Sequence, residues 1–119
     1  MQEYSNYMPV LPLTIQIADN KYPALLQATP RPPKHLYYYG DISLISQPAL
    51  TIVGSRRISS YGEQVCQLLI PSIVESGLAI VSGLAYGVDA YAHQIALRAG
   101  GKCVAVLAGG LDVGCPAGN

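Results

Sequence analysis

From residue 49 onward the chain alternates short apolar runs with longer amphipathic stretches. The apolar runs are Ala49–Val53, Leu78–Val81 and Cys103–Leu107, and each stops on small residues: Gly54-Ser55, Ser82-Gly83 and Gly109-Gly110. Runs of four or five residues with no polar alternation are how strands buried on both faces read. The first amphipathic stretch, residues 60–76, repeats Val65, Leu68, Leu69 and Ile73 at helical spacing. Ser59 or Ser60 can cap it, with Glu63 close behind, and Gly77 ends it. Pro71 lies inside it and is expected to kink or tighten the helix there. The second stretch, residues 87–99, turns Val88, Ala92, Ile95 and Ala99 inward and stops at Gly100-Gly101. The pattern predicts an α/β fold, a parallel sheet in β-α-β-α-β order joined by right-handed crossovers.

Residues 1–48 are different. Seven prolines, Pro9, Pro12, Pro23, Pro30, Pro32, Pro33 and Pro48, deny long helices. Only a short helical piece near Tyr22–Gln27 and a strand at His35–Tyr39 are expected, in an irregular lead-in packed on the sheet domain of residues 49–119. Tyr22, Tyr37, Tyr38 and Tyr39 are read as its packing anchors, although an aromatic run can also stack bases. Three parallel strands make a narrow sheet. A truncated domain, or one completed by partner chains, is therefore expected.

Composition narrows the class. Half of the 119 residues are hydrophobic and 12% are charged, which suits a folded core rather than a disordered chain. No apolar run approaches the roughly eighteen residues that span a bilayer. Met1–Asn6 lacks the basic and apolar regions of a signal peptide, so a cytoplasmic location is expected. The three cysteines, Cys66, Cys103 and Cys115, form no close pair. Cys66 and Cys103 fall in core patterns, where free cysteine acts as a small hydrophobe. Net charge is zero, against a broad basic face. Yet residues 31–57 hold Arg31, Lys34, Arg56 and Arg57 against Asp41 alone, so a local basic pocket is expected.

The strand ends carry the candidate chemistry. Open α/β sheets bind ligands at the carboxyl ends of their strands. At Gly54-Ser55 a missing Cβ lets a phosphate approach backbone N–H groups, the serine hydroxyl adds a donor, and a following helix contributes its positive end. Arg56 and Arg57 add forked guanidinium groups suited to phosphate oxygens. Ser82-Gly83 and Gly109-Gly110 would lie beside this loop if the three strands are neighbours. Small residues also simply permit tight strand-to-helix turns, but the two arginines favour an anion. Neither GxGxxG nor GxxxxGK[ST] occurs, which disfavours a standard dinucleotide enzyme or a P-loop NTPase.

Catalysis has less support. Asp89 and His93 share a helical face. A Ser-His-Asp arrangement would need Ser82 or Ser55 within reach of His93. Asp89 is instead expected to cap the second helix or complement its dipole, and His93 to be a satisfied packing histidine. His35 and His93 stand far apart with no cysteine pair or HExxH, so no metal and no cofactor are expected.

Taken in order, Ile52–Arg56, Ser60-Tyr61-Gly62, Val81–Ala85, Gly87-Val88-Asp89, Ala92-His93, Ala96-Leu97 and Gly109–Asp112 resemble the DprA/Smf family of DNA-processing proteins. The likeness begins at Tyr22-Pro23 and runs through Pro32-Pro33, Leu36-Tyr37 and Gly40-Asp41, so it covers about residues 20 to 119. It implies a Rossmann-like fold, of which residues 49–119 are the first half. It further implies single-stranded DNA binding during transformation, delivery of that DNA to RecA, and no enzymatic step. Arg56 matches the family's phosphate contact, while Gly54, Ser55, Ser82, Gly83 and Gly109 match the loops that shape its pocket. Cys115 departs from the family, which has an aromatic residue there. Homodimerisation would use regions beyond residue 119. The rival class is a Rossmann-like enzyme that binds nucleotides or cleaves nucleoside monophosphates at a similar glycine-lined site.

Overall fold

The sheet strands form where the apolar runs stand, but shorter than the runs themselves. The computed structural model describes residues 11–83 and 86–107. In chain order these form β1 (Leu13–Gln16), the short helix α1 (Ala24–Gln27), β2 (His35–Tyr38), a 3-10 turn (Ile42–Ser46), β3 (Ala49–Thr51), α2 (Ser60–Glu75), β4 (Ala79–Ser82), α3 (Val88–Arg98) and β5 (Cys103–Ala105). β4 is the central strand of a parallel sheet ordered β3-β4-β5, with Leu50 opposite Ile80 and Ile80 opposite Cys103. This is the expected β-α-β-α-β unit.

Strands laid down in sequential order by crossovers of one hand put both connecting helices on one face. Accordingly α2 and α3 pack against each other, and Gln67 Nε2 of α2 donates to Tyr91 Oη of α3 at 2.6 Å. Between them and the sheet lies the core: Cys66 and Ile70 from α2, Ile80 from β4, and Ala92, Ile95 and Ala96 from α3. Ile52, Ile58, Ile73, Val74, Val88 and Cys103 close around it. Both described cysteines are free, and burial pushes their thiols up.

Local signals place the helix ends. Ser59 caps α2, its hydroxyl accepting from the Gly62 amide at 3.0 Å, and Glu63 sits in the first turn against the positive helix end. The helix runs through Pro71 without interruption. α3 ends where Gly101 N donates to Ala96 O and Gly100 N donates to Leu97 O, the paired bonds that close a helix at a left-handed glycine.

The inward stripes differ from the periodicity reading. Leu68 is 73% exposed and Leu69 is 50% exposed, whereas Cys66 and Ile70 are buried. The face α2 buries is set jointly by the sheet and by α3, and that rotates the stripe one position along. Leu69, with Leu50, Ile52, Val65 and Ile73, lines an open apolar recess of about 160 Å³ beside the outer edge of β3. Ala99 is likewise exposed, because α3 ends at Arg98 and its buried stripe is Ala92, His93, Ile95 and Ala96.

The lead-in holds one antiparallel pair, β1 with β2, in the register Leu13 to Tyr38 and Gln16 to His35. The strand at residues 13–16 is absent from the sequence reading, since Pro12 stands at its threshold. Tyr22 is buried and donates its hydroxyl to Pro33 O at 2.6 Å. Tyr37 and Tyr39 are instead exposed, at 62% and 51%, because alternation turns Leu36 and Tyr38 to the other side. Their expected packing role is corrected.

Candidate nucleic-acid interface

A parallel sheet delivers all its strand C-termini to one edge, and here that edge gathers the loops after β3 and β4. The ladder continues past β3, with Ile52 N donating to Val81 O at 2.9 Å. Ser82, buried at the end of β4, donates its hydroxyl to Ile52 O at 2.7 Å. On its other side, Val106 N donates to Ser82 O at 2.9 Å. Ser82 therefore stitches the strand ends together and faces no solvent.

The N-terminus of α3 reaches across the same edge. Asp89 Oδ1 accepts from Gly54 N at 3.3 Å, and Asp89 Oδ2 accepts from Gly83 N at 3.1 Å. Val88 N donates to Ser55 O at 3.0 Å. Gly87, the N-cap, has φ +81° and lies flat against the backbone of Ser55 and Arg56. Asp89 thus makes no cap bond; it sits in the first turn of α3 with its carboxylate tied to two loops. The Gly54 amide, expected to meet a phosphate, already meets a carboxylate.

What remains open is the rim. Gly54, Ser55, Arg56 and Arg57 are all exposed. Ser55 Oγ accepts from Arg57 N at 3.0 Å, a tight local turn that leaves its O–H free to donate outward. Among the described residues neither guanidinium has a hydrogen-bond or ion-pair partner. The structure therefore brings Gly54, Ser55, Arg56, Arg57, Ser82 and Gly83 to one edge. Gly109 lies outside the described residues, as do Gly110, Asp112 and Cys115.

No Ser-His-Asp relay is assembled here. The Ser82 hydroxyl is spent on Ile52 O and the Asp89 carboxylate on two amides. His93 is 5% exposed, and its buried Nε2 has no hydrogen-bond partner among the described residues, unlike the fully satisfied histidine expected. Burial pushes the His93 pKa below its ordinary value, with the Ser82 backbone and the Asp89 charge opposing. The neutral form is thus favoured in the folded chain. Below about pH 6.5 the unfolded chain takes up the proton first. Stability should be fully present above that pH and fall as pH drops toward the lower folded value. Denaturant midpoints measured from about pH 7.5 to about pH 5.5 test this; a His93→Leu variant should show a flatter profile than the unmutated chain. Parallel profiles would contradict it.

No group of three or more His, Cys, Asp and Glu side chains suited to a metal exists among the described residues. No helix among them is long and apolar enough to cross a membrane.

Comparison with known proteins adds to this geometry. The family model for DNA recombination-mediator protein A matches residues 13–119. Protein Smf of Synechocystis is 42% identical over 105 residues, covering 85% of this chain and 26% of that protein. The crystal structure of DNA processing protein A from Streptococcus pneumoniae superposes with a TM-score of 0.82 at 38% identity, over 98% of this chain and 40% of that one. A structure of the Helicobacter pylori DNA processing protein A, concerned with its single-stranded DNA binding mode, gives a TM-score of 0.63 at 33% identity, over 72% and 39% of the two chains. The chain spans between about a quarter and two fifths of the length of these relatives.

Proposed function

The chain belongs to the DNA recombination-mediator protein A family, and from that premise we propose that it is a single-stranded DNA-binding module of DNA processing in transformation. The observation that carries this reading is the pair of exposed guanidinium groups, Arg56 and Arg57, unpartnered among the described residues, on a loop fixed to the strand-end edge. A relative studied for its single-stranded DNA binding mode supports the choice of ligand.

In this reading Arg56 forks onto phosphate oxygens of the DNA backbone, with Arg57 beside it and the Ser55 hydroxyl donating to the same group. Gly54, Ser82 and Gly83 shape the edge without touching the DNA, and Gly109 belongs to the same set. The module acts without catalysis. Residues 1–48 form a lead-in to the Rossmann-like unit of residues 49–119, and delivery of DNA to RecA in the cytoplasm completes the role. Homodimerisation through regions beyond residue 119 belongs to the same proposal.

A labelled oligodeoxythymidine titrated at several salt concentrations tests it. Two phosphate contacts give a shallow salt slope, and Arg56→Ala should lower the affinity severalfold and flatten that slope by about 0.7. Unchanged affinity and slope would remove Arg56 from the interface. Release of free base from a nucleoside monophosphate would turn the assignment to the rival enzyme class.

A further inference from the structure

We infer that Asp89 is a positioning residue for DNA binding: its carboxylate clamps the two strand-end loops and so holds Arg56 and Arg57 in their binding geometry. The inference rests on the DNA-binding reading above and adds a residue that contacts no DNA.

The loop that carries the arginines has few restraints of its own. It leaves β3 at Thr51, and Gly54 through Arg57 are exposed. Its anchors come from α3. Asp89 Oδ1 holds the Gly54 amide, Val88 N holds Ser55 O, and Gly87 packs beneath Ser55 and Arg56. The second carboxylate oxygen holds the Gly83 amide, so the β3 and β4 loops are tied through one side chain. A bond from a charged acceptor to a backbone donor is stronger than a neutral one. Asp89 is also buried, which limits competition from solvent for its oxygens. Only Ser55 separates Gly54, whose amide is clamped, from Arg56, so loss of the clamp is felt at the guanidinium.

Simple electrostatics predicts the opposite effect. Asp89 is an acid beside a basic rim, and removing its charge should tighten DNA binding. The sign of the change in affinity therefore separates the two accounts. Asp89→Asn keeps the volume and one acceptor, and turns an NH₂ group toward one of the two amides that the carboxylate satisfied.

The experiment has three arms. Hydrogen exchange on the unmutated chain should find the Gly54 and Gly83 amides protected although both lie in strand-end loops; exchange at the rate of open loops would overturn the clamp, and this arm needs neither mutant nor DNA. In the oligodeoxythymidine titration Asp89→Asn should weaken binding roughly tenfold, the scale of coupling within one hydrogen-bond network. In a background of Arg56→Ala with Arg57→Ala, Asp89→Asn should cause no further loss. Equal loss in both backgrounds would indicate a general structural defect and overturn the positioning role. Binding by Asp89→Asn as tight as or tighter than the unmutated chain would overturn it while leaving the DNA-binding reading intact. Absence of DNA binding by the unmutated chain would overturn that reading and this role together.

Discussion

Gly87→Ala is expected to cost about 3 kcal/mol of stability and to abolish DNA binding by displacing the arginine loop. Two independent costs add at this position. The backbone there, φ +81° and ψ −129°, belongs to a region that residues with a Cβ avoid, a strain of about 1–3 kcal/mol. A Cβ would also stand 2.2 Å from Ser55 O and 2.5 Å from the Arg56 carbonyl carbon, both backbone atoms that move only with the loop. Relief of that clash costs about 1–3 kcal/mol more. The natural control is Gly77→Ala. Gly77 also has positive φ, +92°, but open space surrounds it, so only a conformational cost of about 1 kcal/mol applies. Urea midpoints for the two variants should differ clearly, and only Gly87→Ala should lose oligodeoxythymidine binding under conditions where it is folded. Equal losses would show that the α3 N-terminus does not press on the arginine loop.

Ile80→Ala should be the other large loss, about 2–5 kcal/mol. Ile80 is fully buried at the centre of the middle strand, beneath the contact of α2 with α3. Its neighbours on the flanking strands, Leu50 and Cys103, are held by backbone pairing and cannot close the void. Against a total stability of about 5–15 kcal/mol, that loss populates the unfolded state measurably. Leu68 offers the comparison. It is apolar, of similar volume and in the helix above, yet largely exposed, so Leu68→Ala should shift stability by no more than about 0.5 kcal/mol. Similar urea midpoints for Ile80→Ala and Leu68→Ala would refute the placement of the core.

The same pair shows what periodicity can and cannot read. Leu68 and Leu69 satisfy helical spacing as well as Cys66 and Ile70 do, so spacing alone cannot choose the buried stripe. The choice is made by the sheet and α3 together: Ile80 below, and Ala92, Ile95 and Ala96 alongside, meet the side of α2 that carries Cys66 and Ile70. Tyr37 and Tyr39 fail in a related way. Alternation places them on the same side at and just past β2, as expected, but nothing local says that this side is the exposed one.

The small-residue ends of β3 and β4, a cap at Ser59 or Ser60 for α2, the helix stops at Gly77 and Gly100, and the adjacent Arg56 and Arg57 were legible along the chain. Each depends on residues within a few positions of one another, where backbone sterics and hydrogen-bond geometry act directly. The clamp was not legible. Gly54, Gly83 and Asp89 are joined by bonds spanning 35 and 6 residues. Asp89 read as a helix-dipole residue because its local position fits that role equally well. Only the parallel sheet, by bringing two strand ends and one helix start to the same edge, decided that its carboxylate would fill the anion position. Local sequence therefore pointed to an anion at this edge, through glycine amides, a helix start and arginines. Tertiary structure decided that the inner amides meet the protein's own carboxylate, because the buried Asp89 satisfies two converging donors and leaves the outer rim, with Arg56 and Arg57, exposed.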